Sequence, residues 1–266
     1  MKKNKNITKN FLFITLLIAF LIQGCSEAPE EFKKGKEMYF VQKFDSALFY
    51  FSTIKSDAGK WIDSAKSMQK NCFSGMIENN KYDMFNESFN LYKNDSAISL
   101  DAINNLSKRI YTILISSKKK EAYLIIDKYK GVLPDAALNK AIEEFLNYIL
   151  LGSQWEIKSS QHIIKGNYIY FSRDTLKNAM PLKTTLNGKS SSNNSGWTKG
   201  KIIYKNIVYT KNGKFGANPL IFRGSQSYYG KRGSLEVISY DSLVINYGQQ
   251  ITGGSKINLV RSAKKK

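Results

Sequence analysis

The sequence predicts an α+β protein of two domains, with α-helical hairpins first and an antiparallel β-barrel or sandwich second. Apolar residues recur at helical spacing from residue 32 to about residue 151. From Trp155 onward, short alternating runs are separated by turn residues, which is typical of β-strands. The charge changes at the same point, because residues 151–266 hold 19 Lys and Arg against 4 Asp and Glu. Two modules with separate roles are therefore expected.

The first 24 residues have the pattern of a secretory signal. Four lysines and no acid precede an apolar run over residues 11–22. A membrane-spanning helix needs about 20 apolar residues, so this run favours a signal peptide over the alternative of an N-terminal membrane helix.

The motif Ile22-Gln23-Gly24-Cys25 resembles the lipobox of bacterial lipoproteins. The resemblance implies cleavage before Cys25 and attachment of lipid to its thiol, which would anchor the protein in a cell-envelope membrane. Residues 25–31 would then form an acidic tether. Ser26 resembles the residue that sorts lipoproteins to the outer membrane, and the acids that follow resemble export signals of surface-displayed lipoproteins. We expect an outer-membrane protein on the periplasmic face or the cell surface.

The helical part, residues 32–151, contains an internal repeat. Lys43-Phe44-Asp45 recurs 38 residues later as Lys81-Tyr82-Asp83, and Phe51 recurs as Phe89. Gly35 precedes Ala47 by twelve residues, and Phe51 follows Ala47 by four. A fixed period of this length is typical of stacked helix pairs.

These offsets resemble the small, small and aromatic positions of the tetratricopeptide repeat. The resemblance implies that Gly35 and Ala47 let two helices cross closely while Phe51 fills the wedge between them. In a third unit, Ala122 takes the small position and Pro134 that of the terminating proline. Residues 136–151 would be a capping helix, and an irregular helical bundle is the alternative. A repeat of this kind implies a concave surface for a protein partner, although a purely structural spacer is a second interpretation.

The β part is expected over residues 152–262, followed by a basic tail at 263–266. Asn187-Gly188 and Asn212-Gly213 predict two hairpin turns. Trp155 on the first strand and Arg261 on the last resemble the cation–π pair that closes lipocalin-like barrels. That resemblance predicts the shape of the domain, and the alternative is that Trp155 is an ordinary core residue.

Basic side chains of the β part alternate with aromatic ones, including Trp197, Tyr204, Tyr209 and Phe215. Cations beside rings can bind anionic glycans, lipid headgroups or nucleic acid. In an envelope lipoprotein an anionic glycan or lipid is the expected partner and nucleic acid is not, while a solvated basic face is the alternative. The predicted surface comprises Lys199, Lys201, Lys205, Lys211, Lys214, Arg223, Lys231 and Arg232.

The sequence indicates no active site, no cofactor and no metal site. His162 is the one histidine and Cys72 the one cysteine besides Cys25, so neither a multi-histidine zinc site nor an intrachain disulfide in the mature chain is expected. We therefore expect a non-enzymatic binding or scaffold protein. One alternative is a hydrolase that uses Glu156 or Asp174. The other is a carrier whose barrel encloses an apolar ligand, in a cavity lined by Leu235, Val237, Leu243 and Ile245.

Overall fold

The computed structural model describes residues 27–159, 168–175, 184–191, 198–223, 226–229, 233–246 and 256–262. Within these ranges the chain forms seven helices and then nine strands. The helices are α1 Glu30–Phe40, α2 Phe44–Ser52, α3 Lys60–Glu78, α4 Tyr82–Tyr92, α5 Ser96–Ile115, α6 Lys119–Tyr129 and α7 Asp135–Leu150. The strands are β1 Gln154–Ser159, β2 Tyr168–Thr175, β3 Thr184–Ser190, β4 Ile202–Lys211, β5 Lys214–Arg223, β6 Gln226–Tyr229, β7 Gly233–Ser239, β8 Ser242–Asn246 and β9 Lys256–Arg261.

The predicted α+β order is confirmed, and the β part is a barrel rather than a sandwich. The chain divides into two compact units between Ala102 and Ile103, so α6 and α7 belong to the same unit as the strands. None of the helices described is both long enough and apolar enough to cross a bilayer.

The first unit is built from consecutive helices that pack on one another, α1 on α2, α2 on α3 and α3 on α4. Glycine permits two of these close approaches. A Cβ atom on Gly35 of α1 would lie 2.6 Å from the ring of Phe51, and one on Gly75 of α3 would lie 2.5 Å from the ring of Phe44. Since both rings are buried, any larger side chain at either glycine would overpack the core.

The 38-residue period of the sequence reappears in the turns between helices. Gln42 and Asn80 are both left-handed, with φ of 59° and 56°. The next residue closes the turn in the same way each time, because Lys43 N–H donates to Met38 O and Lys81 N–H donates to Met76 O. The two turns therefore have equivalent geometry.

The second unit contains a closed antiparallel barrel. Its strands follow the order β4-β3-β2-β1-β9-β8-β7-β5, and β4 pairs with β5 to close the circle. The short strand β6 extends the sheet from β5. Alternate residues point into the barrel, as in β7, where Leu235 and Val237 are buried and Ser234 and Glu236 are partly exposed.

One of the two predicted hairpin turns is correct and the other is wrong. Asn212 and Gly213 form the β4–β5 turn with φ of 52° and 71°, as the pair predicts. Asn187 and Gly188, in contrast, lie inside β3. The glycine is needed there for space, because a Cβ at Gly188 would lie 3.1 Å from the rings of both Phe171 and Tyr204.

Candidate functional site

The residue predicted to carry lipid, Cys25, lies outside the described residues, so its role remains a prediction. Cys72 is a free, buried thiol on α3. Burial raises the pKa of the Cys72 thiol to about 12, so the reactive thiolate is scarce at neutral pH. Cys72 is a small core residue.

The helix-packing positions of the sequence repeat lie mostly in the core. Ala47, Phe51 and Ala122 are buried. Phe89 is half-buried, and its ring stacks on that of Phe85 at 5.8 Å. Pro134 precedes α7 as its N-cap residue, where its fixed φ and missing N–H suit a helix start.

Trp155 and Arg261 lie close together where β1, the first strand of the barrel, pairs with β9, the last strand. The two residues are directly opposite in the β1–β9 register, and the guanidinium carbon of Arg261 lies 4.7 Å from the centre of the Trp155 ring. The same guanidinium lies 3.8 Å from the centre of the Tyr240 ring and donates to Ile149 O of α7 at 2.7 Å. The predicted cation–π contact is therefore present and also ties helix α7 to the barrel.

The predicted basic residues do not form a single patch. Lys199 and Lys201 precede β4, whereas Lys211 ends β4 and Lys214 starts β5. Lys211 is ten positions after Lys201, which corresponds to roughly 30 Å along an extended strand. Lys205 lies between them on β4 and is half-buried. Three members of the predicted set fall outside the described side chains: Arg223, Lys231 and Arg232.

Of the aromatic residues predicted to accompany these cations, Tyr204, Tyr209 and Phe215 pack inside the second unit, whereas Trp197 lies outside the described residues. Tyr204 and Phe215 are fully buried, and Tyr209 packs edge-on against Phe215 at 5.5 Å. Strand alternation explains this arrangement, because neighbouring residues of a strand face opposite sides of the sheet. These rings cannot lie against a sugar or a base, so the described part of the basic surface offers charge without exposed aromatic faces.

Helices α6 and α7 cover the end of the barrel at which Trp155 and Arg261 lie. The carboxylate of Asp127 on α6 accepts from Tyr209 Oη at 2.8 Å and from Asn212 N–H at 2.7 Å. Burial, and next the hydrogen bond to Asp127, raise the pKa of Tyr209 well above its ordinary value. The tyrosine therefore remains a neutral donor, and the β4–β5 hairpin is fixed to α6.

Lys119 makes a second link between α6 and the barrel. Its ammonium group donates to Val237 O at 3.1 Å and also to Ile238 O. Burial lowers the pKa of Lys119, and the nearby carboxylate of Glu236 opposes that shift. This lysine is part of the framework rather than of the exposed basic surface.

A cleft of about 530 Å³ lies between these helices and strands β2 to β4. Leu138 and Leu146 of α7 and Ile207 of β4 contribute to its apolar walls. At its edge Arg173 pairs with Glu143 at 3.3 Å and donates to Asn147 Oδ1 at 2.9 Å. The volume falls within the range of small-molecule sites. The Arg173–Glu143 pair offsets two of the charges at the cleft, and Lys130 and Asp135 also line it.

The positions proposed for an internal apolar ligand are filled. Leu235, Leu243 and Ile245 have no exposed surface, and Val237 is 4% exposed. The 530 Å³ cleft includes none of these four residues, and Val237 lines a second cleft of about 290 Å³ beside α5, α6 and α7. Their burial favours a packed barrel interior over a carrier cavity at these positions.

The two acids proposed for hydrolysis are each paired with a lysine. Glu156 accepts from Lys158 at 2.7 Å, and Asp174 accepts from Lys189 at 2.7 Å. Glu156 lies opposite Tyr168 in the register, so Asp174 is six residues further along β2, or roughly 20 Å away. Paired glycosidase carboxyl groups lie about 5 to 9.5 Å apart, so these two acids cannot act together in that way.

Residues of α6 were missed by the sequence prediction. The run Lys118-Lys119-Lys120 and the i, i+4 spacing of Lys120, Leu124 and Lys128 were visible signals of a basic helix face. Asp127 gave no such signal, because its partners Tyr209 and Asn212 are more than 80 residues away in the sequence. Comparison with known proteins adds no assignment, since no protein-family model, curated protein or solved structure matches this chain.

Proposed function

We propose that the chain is a lipid-anchored, non-enzymatic binding protein of the bacterial cell envelope. Its helical repeats hold a protein partner, and its basic barrel contacts an anionic glycan or lipid. The observation that carries the proposal is the separation of side chains along β4 and β5. Lys211 and Lys214 are exposed, while Tyr204 and Phe215 are buried, and a surface of charge without rings suits an anionic partner.

The proposed anchor rests on the sequence around the lipobox-like motif that ends at Cys25. Two or three acyl chains on Cys25 would attach the protein stably, because each buried methylene contributes about 0.8 kcal/mol. The tether, expected over residues 25–31, ends before Glu30, because α1 begins at that residue; the outer membrane is the proposed location.

Tetratricopeptide-like character of the helical part is supported by the equivalent turns at Gln42 and Asn80 and by the close fit of Gly35 on Phe51. Phe40 of α1 and Phe49 of α2 are 73% and 62% exposed. Large apolar side chains at the surface are suited to contacts with another protein. In the barrel, the Trp155–Arg261 contact supports a lipocalin-like closure.

The anchor is tested by cell fractionation of the wild type and of Cys25→Ala, with an alkyne-bearing fatty acid as label. We expect the wild type in the membrane fraction with label attached, and the variant without label. Equal labelling of the two proteins would contradict lipid attachment at Cys25.

Anionic binding is tested with the mature chain from residue 25 carrying Cys25→Ser, so that the lipid does not contribute. The probes are anionic phospholipid vesicles and a sulfated polysaccharide, each at 50 and 300 mM NaCl. We expect binding to at least one probe at low salt and strong weakening at high salt, because exposed charges are screened. Binding to neither probe at low salt, or binding unaffected by salt, would overturn the proposal.

A further inference from the structure

The β4–β5 hairpin and helix α6 form one continuous surface. The hairpin turn is held against the helix by the bond from Asn212 N–H to Asp127 at 2.7 Å. A Cβ at Gly213 would lie 2.5 Å from the ring of Tyr123, so the turn also packs directly on the helix. Residues that flank these contacts in both elements are therefore close neighbours.

Exposed lysines occur near these contacts in both elements, and together they define the lysine surface. On α6, Lys120, Leu124 and Lys128 share one exposed stripe, since residues four apart lie on the same side of a helix. Lys118 immediately precedes the helix. The lysine surface comprises Lys118, Lys120, Lys128, Lys211 and Lys214, all exposed.

Few acids offset this positive charge. Asp127 accepts two hydrogen bonds inside the α6–hairpin contact. Glu236 lies opposite Lys214 in the β5–β7 pairing, and Glu121 is exposed on α6. Among the described residues, these three acids face the five exposed lysines of the surface, which therefore carries a net positive charge.

The centre of the lysine surface is apolar. Leu124 is 68% exposed, between Lys120 and Lys128 on the stripe. An exposed leucine among lysines is typical of helices that lie on a membrane, where the apolar side chain enters the interface and the cations meet anionic headgroups. Among the described residues, the rings of Tyr123 and Phe215 beside this surface are buried, which disfavours glycan recognition through these rings.

We propose that the lysine surface docks on an anionic phospholipid bilayer, with Leu124 inserted at the interface. This inference rests on the proposed function and deepens it, since it selects lipid over glycan and locates the contact on α6 and the hairpin. Lys199 and Lys201, at the other end of β4, are outside the contact.

The test compares two charge-matched double variants of the mature chain carrying Cys25→Ser. Lys211→Gln/Lys214→Gln alters the lysine surface, and Lys199→Gln/Lys201→Gln removes the same charge at the opposite end of β4. Sedimentation with vesicles of phosphatidylglycerol and phosphatidylcholine gives the partition constant. Each lysine near an anionic bilayer contributes about 1 kcal/mol, so the first variant should bind roughly ten- to thirtyfold more weakly and the second close to normally.

Leu124→Ser supplies an independent readout. It should weaken binding to phosphatidylglycerol vesicles several-fold while leaving the salt dependence unchanged, because it removes apolar area and no charge. Circular dichroism melting checks that each variant remains folded.

Equal weakening by the two double variants, or none by Lys211→Gln/Lys214→Gln, would overturn the inference. The mature chain with Cys25→Ser as its one substitution could bind the sulfated polysaccharide but not the vesicles. That result would also overturn the inference, and it would leave the proposed function intact. If the chain binds neither the vesicles nor the polysaccharide, both this inference and the proposed function are overturned.

Discussion

The helices before Ala102 and the unit from Ile103 onward are stabilised by different contacts. In the first unit, aromatic rings pack closely against glycines, as Phe51 does against Gly35. In the second, polar groups such as Arg261 and Asp127 join helices to the barrel end. Apolar packing depends little on pH and salt, whereas ionised groups respond to both. The two units should therefore respond differently to the same change of conditions.

The comparison also indicates what each unit can offer to a partner. The helical unit has its polar residues and a few apolar side chains at the surface, including Phe40 and Phe49. The barrel unit buries the rings of Trp155, Tyr204 and Phe215 and exposes many of its lysines. Apolar contact with a protein and electrostatic contact with an anionic surface are the corresponding modes of binding.

Overpacking the helical unit should have the largest effect on stability. Gly35→Leu introduces a side chain where a Cβ alone would lie 2.6 Å from Phe51, and we expect a loss of about 3 kcal/mol. Hydrogen exchange of peptides from α1 to α3, measured by mass spectrometry, reports the loss locally. Lys36→Leu is the matched control, because residue 36 is exposed on the same helix. Comparable rates of hydrogen exchange in Gly35→Leu and Lys36→Leu would contradict the close packing of Phe51 on Gly35.

Removing a polar link of the barrel unit should have a smaller effect. Arg261→Gln loses the bond to Ile149 O and the two ring contacts, and we expect a loss of about 2 kcal/mol. The measurement is hydrogen exchange of peptides from α7 and β9, followed by mass spectrometry. Arg261→Lys keeps the charge but not the planar fork, so it should recover little. Full recovery by lysine would mean that charge alone stabilises this end of the barrel.

The smallest expected effect is a change in acid sensitivity within the barrel unit. Partial burial acts to raise the pKa of Asp174, but hydrogen bonds from Lys189 and Asn187 outweigh it and hold that pKa below its ordinary value. A depressed pKa stabilises the fold fully above the unfolded value of about 3.9, and the stabilisation is lost as the pH falls through the folded value.

Asp174→Asn removes this contribution. Its free energy of unfolding should fall less than that of the wild type between pH 5 and pH 2. The measurement is equilibrium unfolding in urea followed by tryptophan fluorescence. Lys158→Gln, which breaks the surface pair with Glu156, should leave the acid response nearly unchanged. Parallel pH curves for the wild type and Asp174→Asn would contradict the assigned shift.

Local patterns in the sequence predicted the helical part well. Helical spacing depends on residues within one or two turns of each other. The 38-residue recurrence repeats the same local pattern, so Lys43 and Lys81 marked two equivalent helix starts. The Asn212-Gly213 turn was equally local. Trp155 and Arg261 could be paired only through resemblance to a family, because 105 intervening residues separate them.

Predictions from the sequence were wrong at positions where tertiary packing determines the role of a residue. Asn187-Gly188 has the composition of a turn, but Gly188 makes room for Phe171 and Tyr204. The alternation of lysines and rings on β4 and β5 suggested a mixed surface, but the closed barrel buries Tyr204 and Phe215. The contribution of α6 to that surface depends on the long-range contact of Asp127 with the hairpin.

Lysine footprinting tests the central claim, that the barrel unit meets an anionic bilayer through α6 and the hairpin. The mature chain carrying Cys25→Ser is acylated with an amine-reactive reagent, with and without phosphatidylglycerol vesicles, and each site is quantified by mass spectrometry. We predict slower acylation at Lys118, Lys120, Lys211 and Lys214 when vesicles are present, with Lys199 and Lys201 unchanged. Protection at Lys199 and Lys201 without protection at the lysine surface would contradict the claim.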